Sequence, residues 1–289
     1  MKNIANFFTI TSILALSNVG FAQSTDTKIK NLRFGVKLTP SINWYKPEGK
    51  IMEPNGAVIK FGGGLIIENQ LSKIISIQTG LQVDLDGGKL KYNNGGYNTP
   101  NSNTVSYYYN NTDEVISKYG SRPTDASGAA MYDLDNTHLQ INERKFSVTY
   151  LTIPLILKMK TKEIGLFTYY GAIGLNNSFR WKAYATDKVV SLDAASYGTE
   201  STKTKINITK DYNLYNCSLN LGGGTEINLA GSTSLIVGLN YNLGFTNVLK
   251  KDSDYLERRV NNSVNLSKTT QMPQSIKSNA VVLTVGVLF

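Results

Sequence analysis

The sequence predicts an all-β protein, an eight-stranded antiparallel up-and-down barrel that crosses a membrane, with short periplasmic turns and long extracellular loops. Three observations predict this fold. The chain ends in an alternating strand that closes on an aromatic residue, seven further segments with the same alternation precede it, and short and long connections join the eight in turn.

The closing strand carries the strongest signal. Residues 279–289 alternate apolar with small or polar side chains, and Phe289 is the last residue. Because successive side chains of a strand point to opposite faces, Val285, Val287 and Phe289 share one apolar face and Thr284 lies on the other. We expect these three residues to form the assembly signal that the barrel insertion machinery reads. The alternative is an interior strand of a soluble sandwich that happens to be terminal.

The first residues, 1–22, have the layout of a secretory signal peptide with a cleavage site before Gln23. The apolar core Phe7 to Leu16 is too short for a membrane-spanning helix, which needs roughly 20 apolar residues. A plain hydrophobic anchor is the alternative. The mature domain is therefore predicted as residues 23–289, in the outer membrane of a Gram-negative bacterium.

The composition narrows the classes of protein. Polar residues interrupt every later apolar run, and a membrane protein without spanning helices must be a closed barrel, because lipid cannot satisfy an open sheet edge. The single cysteine, Cys217, excludes an intramolecular disulfide. The formal net charge of +9 favours anionic outer-membrane lipid, including lipopolysaccharide, as a partner, and we expect no nucleic acid.

Eight segments show the two-residue period of half-buried strands. They cover about Arg33–Trp44, Val58–Asn69, Ile74–Asp86, Phe146–Lys158, Glu163–Leu175, Tyr212–Asn228, Thr233–Val248 and Asn279–Phe289. The fifth is apolar on both faces, so its register is open. Short turns follow the second, fourth and sixth segments, which is the plan of outer-membrane barrels. Segments 137–145 and 178–186 also alternate, which predicts hairpins that continue beyond the membrane.

Charged side chains occur on the predicted inward faces. An eight-stranded barrel is just wide enough for side chains to fill its interior, and buried charges must pair with each other or with water. We therefore predict a structural network of ion pairs inside the barrel, with a proton or ion pathway as the alternative. Its members are Lys37, Lys60, Glu68, Asp84 and Glu226, with Lys158 as a further candidate.

The sequence shows no catalytic motif. The only histidine, His138, is predicted in a long loop near Asp133 and Asp135, and there is no GxSxG, HExxH or P-loop. Solvated loop polarity explains these three residues better than a metal site, because no further ligand has a defined spacing. We predict a protein that is not an enzyme and has no cofactor. A lipid-modifying enzyme is the minor alternative.

The predicted loops have the only composition typical of recognition. Tyr107, Tyr108 and Tyr109 lie among Asn, Ser and Gly, which suits adaptable binding surfaces, although solvated hairpin tips share this composition. Loops 176–211 and 249–277 are net positive, and lipopolysaccharide phosphate is the natural counter-charge. The predicted function is binding or assembly through these loops, with an unknown protein partner. The alternative is a small transporter or channel for ions or a hydrophobic solute.

Two motifs carry a family resemblance. Phe61–Leu81, FGGGLIIENQLSKIISIQTGL, resembles the second-to-third strand hairpin of the PorT-like outer-membrane β-barrel family of Bacteroidetes. Tyr150–Lys158, YLTIPLILK, is similar to that family's Tyr-Leu-Glu-Ile-Pro-Leu-Leu-Leu-Lys segment, but Thr152 replaces the usual Glu, which removes the basis for an interior salt bridge at this position. The resemblance implies an eight-stranded outer-membrane barrel. The family's namesake is needed for type IX secretion, whereas most members have no assigned role.

Overall fold

The computed structural model describes residues 32–95, 102–110, 115–116, 136–193, 195–261 and 267–289. The predicted signal peptide, residues 1–22, lies outside the described residues, as do Asp133 and Asp135. Within the described part no helix is long and apolar enough to cross a membrane. A short 3-10 helix covers Thr209–Asp211.

The described strands form one antiparallel sheet. They are β1 (Leu32–Leu38), β2 (Ser41–Pro47), β3 (Met52–Pro54), β4 (Val58–Lys60), β5 (Gly62–Gln70), β6 (Ile75–Asp86), β7 (Lys89–Tyr92), β8 (Asn103–Asn110), β9 (Val115–Ile116), β10 (Asn136–Lys160), β11 (Phe167–Ser191), β12 (Glu200–Asn207), β13 (Tyr215–Ala230), β14 (Thr233–Gly244), β15 (Asp252–Asn261), β16 (Ser267–Pro273) and β17 (Ile276–Leu288).

Eight of these strands close into a ring, which confirms the predicted barrel. β1 pairs with β5 on one side and with β17 on the other, so that Val36 lies opposite both Leu65 and Val287. The ring continues from β5 through β6, β10, β11, β13 and β14 to β17, always between antiparallel neighbours. Because the ring is closed, these strands present no unpaired edge to lipid.

The two faces of the ring strands differ as the two-residue period predicts. In β17, Val285 is 38% exposed, whereas Thr284 on the opposite face is 9% exposed. The register of β11, open from sequence, places Ile173 outward and Asn176 inward. Large exposed apolar residues form a belt around the ring, which suits lipid rather than water. The belt includes Phe34, Val36, Leu65, Leu81, Val83, Ile153, Leu155, Leu157, Leu175, Leu239 and Leu283.

The two longest strands leave the membrane and continue outside it. β10 and β11 have 25 residues each, whereas a membrane-spanning strand needs about 9–11. The predicted extension of segments 137–145 and 178–186 is therefore confirmed. Tyr150 pairs with Arg180 and Thr149 pairs with Lys182, so Trp181 is an extra residue in β11. Trp181 is 70% exposed, as expected for an aromatic residue at a membrane interface.

Further strands pair with these two to build a folded layer outside the membrane. β7 and β8 pair with the N-terminal part of β10, and β12 pairs with the C-terminal part of β11. β3 pairs with β7, and β15 lies between β8 and β16 and pairs with both. We call this layer the extracellular extension. It has a hydrophobic core, whose buried members include Leu90, Tyr92, Val105, Tyr107, Tyr109, Leu139, Ile141, Phe146, Val189, Ile206, Tyr212, Leu256 and Met272.

Candidate functional site

Buried ion pairs occupy the periplasmic end of the barrel interior. Lys158 Nζ donates hydrogen bonds to Glu68 Oε2 at 2.8 Å and to Glu226 Oε1 at 2.5 Å. The three residues come from β10, β5 and β13, where their positions place all of them on the inward face. Each is almost completely buried. Close pairing of this kind offsets the cost of removing the charges from water.

Two more cations complete this group, which we call the charged layer. Lys160 Nζ contacts Glu68 and donates to Glu226 Oε2 at 3.0 Å. Arg33 Nη1 donates to Glu226 Oε2 at 3.0 Å, and its Nη2 donates to Ser234 Oγ at 2.8 Å. The charged layer therefore combines three cations with two carboxylates, all tied directly to one another.

An aromatic ring and three apolar side chains cover the charged layer on the side that faces the middle of the barrel. Lys158 Nζ lies 4.3 Å from the centroid of the Tyr170 ring, a cation–π contact. Tyr170 also packs against Ile66, Ile236 and Leu288. The ring needs the glycine opposite, because a Cβ built on Gly238 would overlap the Tyr170 hydroxyl. The barrel interior is thus filled by side chains at its periplasmic end.

A polar cavity of about 100 Å³ lies next along the axis. Amide side chains dominate its wall: Asn242 Oδ1 accepts hydrogen bonds from Asn176 at 3.1 Å and from Asn220 at 2.8 Å, and Asn240 donates to Thr284 Oγ1 at 3.0 Å. Its polar wall and its volume suit several ordered waters. Its wall includes Lys37, Gln78, Gln82, Asp84, Asn176, Ser178, Asn216, Asn220, Asn240, Asn242, Asn279 and Thr284.

Aromatic residues close the extracellular end of this cavity. The hydroxyls of Tyr45 and Tyr212 share a hydrogen bond of 2.9 Å, and the Phe146 ring packs against both, with centroid distances of 5.3 and 6.3 Å. Tyr150, which lines the cavity, lies in the same buried cluster. We call these four residues the aromatic lid. These residues also belong to the core of the extracellular extension, so that core continues down to the cavity.

The five predicted interior residues divide into three groups. Glu68 and Glu226 lie in the charged layer, with Lys158, while Lys37 and Asp84 line the polar cavity. Lys60 does not lie inside, and this part of the prediction is wrong. Its backbone position has the inward parity of β5, since Val58 is buried and Ile59 and Phe61 are exposed, but its side chain does not line the cavity. Instead, Lys60 Nζ donates to Ser147 Oγ at 2.8 Å on the outer side of β10.

Two members of the charged layer were not predicted from the sequence. Arg33 has the inward parity of Lys37 on the first strand, so alternation could have identified it. Lys160 has the parity of Lys158, but the predicted strand ended at Lys158 whereas β10 continues to Lys160. Their convergence on the same two carboxylates depends on the strand stagger of the closed barrel, which no single strand pattern reveals.

The predicted recognition tyrosines are mostly inside the protein, which corrects their role as an exposed binding surface. Tyr107 is 0% and Tyr109 5% exposed, because alternation along β8 directs both into the extension core together with Val105. Tyr108 faces the other way, and its ring stacks on that of His138 with a centroid distance of 4.4 Å. β8, although rich in polar residues, thus contributes aromatic side chains to the hydrophobic core of the extension.

A buried ion pair lies in the same core. Arg144 Nε and Nη2 donate to the two carboxylate oxygens of Asp187, both at 2.7 Å, and the Tyr107 and Phe146 rings lie 5.8 and 5.9 Å from Arg144 Cζ. Burial lowers the pKa of Arg144, but Asp187 more than offsets this, so the net pKa is raised and Arg144 stays charged. Burial also raises the pKa of Tyr107 well above its ordinary value. The pair is therefore structural, holding β10 to β11.

The closing strand exposes the predicted assembly residues on the lipid side. Val285 and Phe289 are exposed and Val287 is half-buried on the same face. Phe289 is also tied to the first strand, because its N–H donates to the Phe34 carbonyl at 2.8 Å and its carbonyl accepts from Phe34 N–H at 3.1 Å. The terminal residue therefore takes part in closing the ring.

Comparisons with known proteins agree with this architecture. The sequence profile of the outer membrane protein beta-barrel domain matches residues 21–250. No curated protein matches the chain. Among solved structures, the chain is similar to a major outer membrane protein from Thermus thermophilus, with 9% identity, coverage of 89% of this chain and 98% of that one, and a TM-score of 0.37.

Two further structural similarities have the same character. OprG from Pseudomonas aeruginosa shows 10% identity, coverage of 89% and 94%, and a TM-score of 0.36. Neisserial surface protein A shows 10% identity, coverage of 88% and 95%, and a TM-score of 0.35. At such scores these similarities carry no argument about function. The profile match over residues 21–250, together with the closed ring of strands, shows that the chain belongs to the outer membrane protein β-barrel domain family and lies in the outer membrane.

Proposed function

We propose that this outer-membrane barrel is neither an enzyme nor an open channel, and that it acts through its extracellular extension by binding a partner or joining an assembly at the cell surface. The observation that carries this proposal is the continuity between the extension core and the aromatic lid. Tyr45, Phe146 and Tyr212 belong to both, so the residues that close the lumen also fix the extension on the barrel.

This continuity favours recognition over transport. Mobile loops would lose conformational entropy on binding, whereas a packed layer presents its outer surface already ordered. The polar cavity is the feature that favours the alternative, a small transporter. However, the charged layer closes one end of the cavity and the aromatic lid the other, so a solute would have to disrupt two buried clusters in series.

Two more specific proposals concern the complex that the barrel joins and the way in which it is inserted into the membrane. The resemblance of Phe61–Leu81 and Tyr150–Lys158 to the PorT-like family supports a test for attachment to a type IX secretion complex. We also propose that Val285, Val287 and Phe289 are read by the insertion machinery, since they combine a lipid-facing apolar row with a terminal aromatic residue.

Co-purification from the native membrane after reversible crosslinking tests the proposed function. We expect a partner to be recovered in constant proportion with the wild-type protein. Replacement of the exposed edge strand β12 by a short Gly-Ser turn should reduce its recovery, whereas the same replacement at the periplasmic turn Leu71–Lys73 should not. Recovery of no partner, or equal recovery with both replacements, would contradict a role for the extension.

A further inference from the structure

An open recess borders three lysines on the outer surface of the barrel. Its wall is formed by Lys60 on β4, Lys145 and Ser147 on β10, Tyr184, Ala185 and Thr186 on β11, and Lys205 on β12. We call it the lysine recess. Its volume is about 550 Å³, and its wall includes no acidic residue.

Strand register places the recess residues on one face. Lys145 and Ser147 are two residues apart on β10, and their partners in β11 are Thr186 and Tyr184. The inward neighbours of these positions, Arg144 and Phe146, are buried in the extension core. Lys145, Ser147, Tyr184 and Thr186 therefore point away from the core, toward the surroundings of the barrel.

Two of the lysines are held in place by local structure. Lys60 Nζ donates to Ser147 Oγ at 2.8 Å, which uses one of its three N–H donors and leaves two for a ligand. Lys205 has a φ of 56°, in the left-handed region that residues other than glycine rarely adopt. It lies at the register shift between β11 and β12, so an irregularity in the sheet sets its direction.

Within the described part of the chain, no carboxylate forms an ion pair with the recess lysines, and Asp86 is the acidic residue that interacts electrostatically with Lys60. Among the residues that the structure describes, Lys60, Lys145 and Lys205 form no ion pair. On the same face, Lys188 pairs with Glu143 at 3.0 Å, one position farther out along β10. Three like charges around one recess repel each other unless an anion lies between them.

The position of the recess relative to the membrane surface identifies the kind of anion. Along the outward face of β10, the exposed apolar residues Ile153, Leu155 and Leu157 are followed by Thr149, Ser147 and Lys145. Trp181 and Tyr184, 70% and 39% exposed, lie at the same border on β11. Exposed Trp and Tyr mark the membrane–water interface. The recess therefore lies level with the outer-leaflet head groups.

We propose that the lysine recess binds the phosphate group of a phosphorylated glycolipid of the outer leaflet. The ammonium groups of Lys60, Lys145 and Lys205 and the Thr186 hydroxyl surround the phosphate oxygens, while Tyr184 packs against the adjoining sugar or acyl chain. The proposal rests on the position of the chain in the outer membrane and not on the partner proposed for the extension.

Binding to the purified protein in detergent tests this site. The probes are a phosphorylated lipid A, the same glycolipid after enzymatic removal of its phosphate, and inorganic phosphate alone. The test variant carries Lys60→Gln, Lys145→Gln and Lys205→Gln. The matched control carries the same change at three exposed lysines away from the recess, Lys46, Lys50 and Lys251, so both variants lose equal charge.

We expect the wild-type protein and the control to prefer the phosphorylated lipid, and the test variant to bind it at least about tenfold more weakly. Inorganic phosphate should compete only weakly. Equal binding by the test variant and the control, or no preference for the phosphorylated lipid, would overturn the proposal. Phosphate binding as tight as lipid binding would overturn the lipid as its source. If the triple variant does not fold, Lys145→Gln alone, at an exposed position, decides between the same outcomes.

Discussion

Lys158 Nζ lies 2.5 Å from Glu226 Oε1 although their strands are not neighbours in the ring. Lys158 belongs to β10, which pairs with β6 and β11, whereas Glu226 belongs to β13, which pairs with β11 and β14. The contact therefore reaches past β11 inside the lumen. Because Lys158 also donates to Glu68 on β5, which lies opposite β13 in the ring of eight, the two contacts together hold opposite parts of the wall in a way that backbone hydrogen bonds cannot.

Removing one carboxylate from the charged layer should strongly destabilise the barrel. Glu226→Gln leaves Lys158 and Lys160 with Glu68 as their remaining carboxylate and removes the ion-pair partner of Arg33, and loss of a buried partner typically costs about 3–5 kcal/mol. The measurement is reversible urea unfolding in lipid vesicles. Glu143→Gln, which removes the exposed pair with Lys188, should cost at most about 1 kcal/mol. Similar values for the two variants would show that the charged layer does not stabilise the barrel.

The extension should be separable from the barrel through Asp187. Asp187→Asn leaves the buried Arg144 without its counter-charge, so the extension core should loosen while the ring of strands stays closed. We expect protease cleavage at sites in the extension, together with unchanged heat-modifiable migration in detergent. Lys188→Gln, at the next residue on the exposed face, is the control and should stay resistant. A protected Asp187→Asn variant would argue against this pair as a determinant of the extension.

Conduction should be absent even when one closure is weakened. Planar-bilayer recordings of the wild-type protein should show no stable open channel, because side chains fill both ends of the lumen. Tyr212→Ala removes half of the hydroxyl pair in the aromatic lid but leaves the charged layer intact, so it should also be silent. Steady porin-like steps from either protein would contradict the filled lumen.

The two faces of the closing strand should respond differently to the same charge. Val285→Asp places a carboxylate on the lipid face, where the penalty reaches about 2–4 kcal/mol for the least tolerated charges and is smaller for Asp. Thr284→Asp places its carboxylate in the polar cavity, where side-chain amide groups can donate hydrogen bonds to it. We expect a smaller surface-exposed folded fraction for Val285→Asp, measured by labelling intact cells.

Deletion of Phe289 tests the same strand from its end. It removes both hydrogen bonds to Phe34 and the terminal aromatic residue, so folded protein should decrease while removal of the predicted signal peptide continues. Equal folding of the two Asp variants would mean that the lipid face has been misassigned, and normal insertion without Phe289 would argue against its role in assembly.

Alternation alone predicted the wall of the barrel well, because lipid outside and side chains inside impose opposite preferences on neighbouring residues. It placed Val285 outward and Glu226 inward, and both assignments agree with the structure. The extension was harder to predict. Its β8 is rich in Asn, Ser and Tyr, and a tyrosine in a polar segment is compatible with a solvated loop or with a buried core. Tyr107 shows the second case.

Errors at the site arose where a long side chain leaves the face given by its parity or where partners lie across the lumen. Lys60 has the predicted inward parity, but its side chain reaches Ser147 on the outer side of β10. Arg33 and Lys160 carried the right parity, but parity indicates a face and not a partner. The partner depends on how far each strand is displaced along the barrel axis, which only closure of the ring determines.

The pairing of β8 with β15 has a consequence for biogenesis. Arg258 on β15 donates two hydrogen bonds to Asn103 on β8, from a part of the chain that is synthesised much later. The segment that contains β15 must be translocated to the cell surface before this pairing can form, and the apolar side chains of β8 lack this cover until then. A barrel stalled before its last hairpin crosses would therefore leave β8 without its partner strand and accessible to proteases.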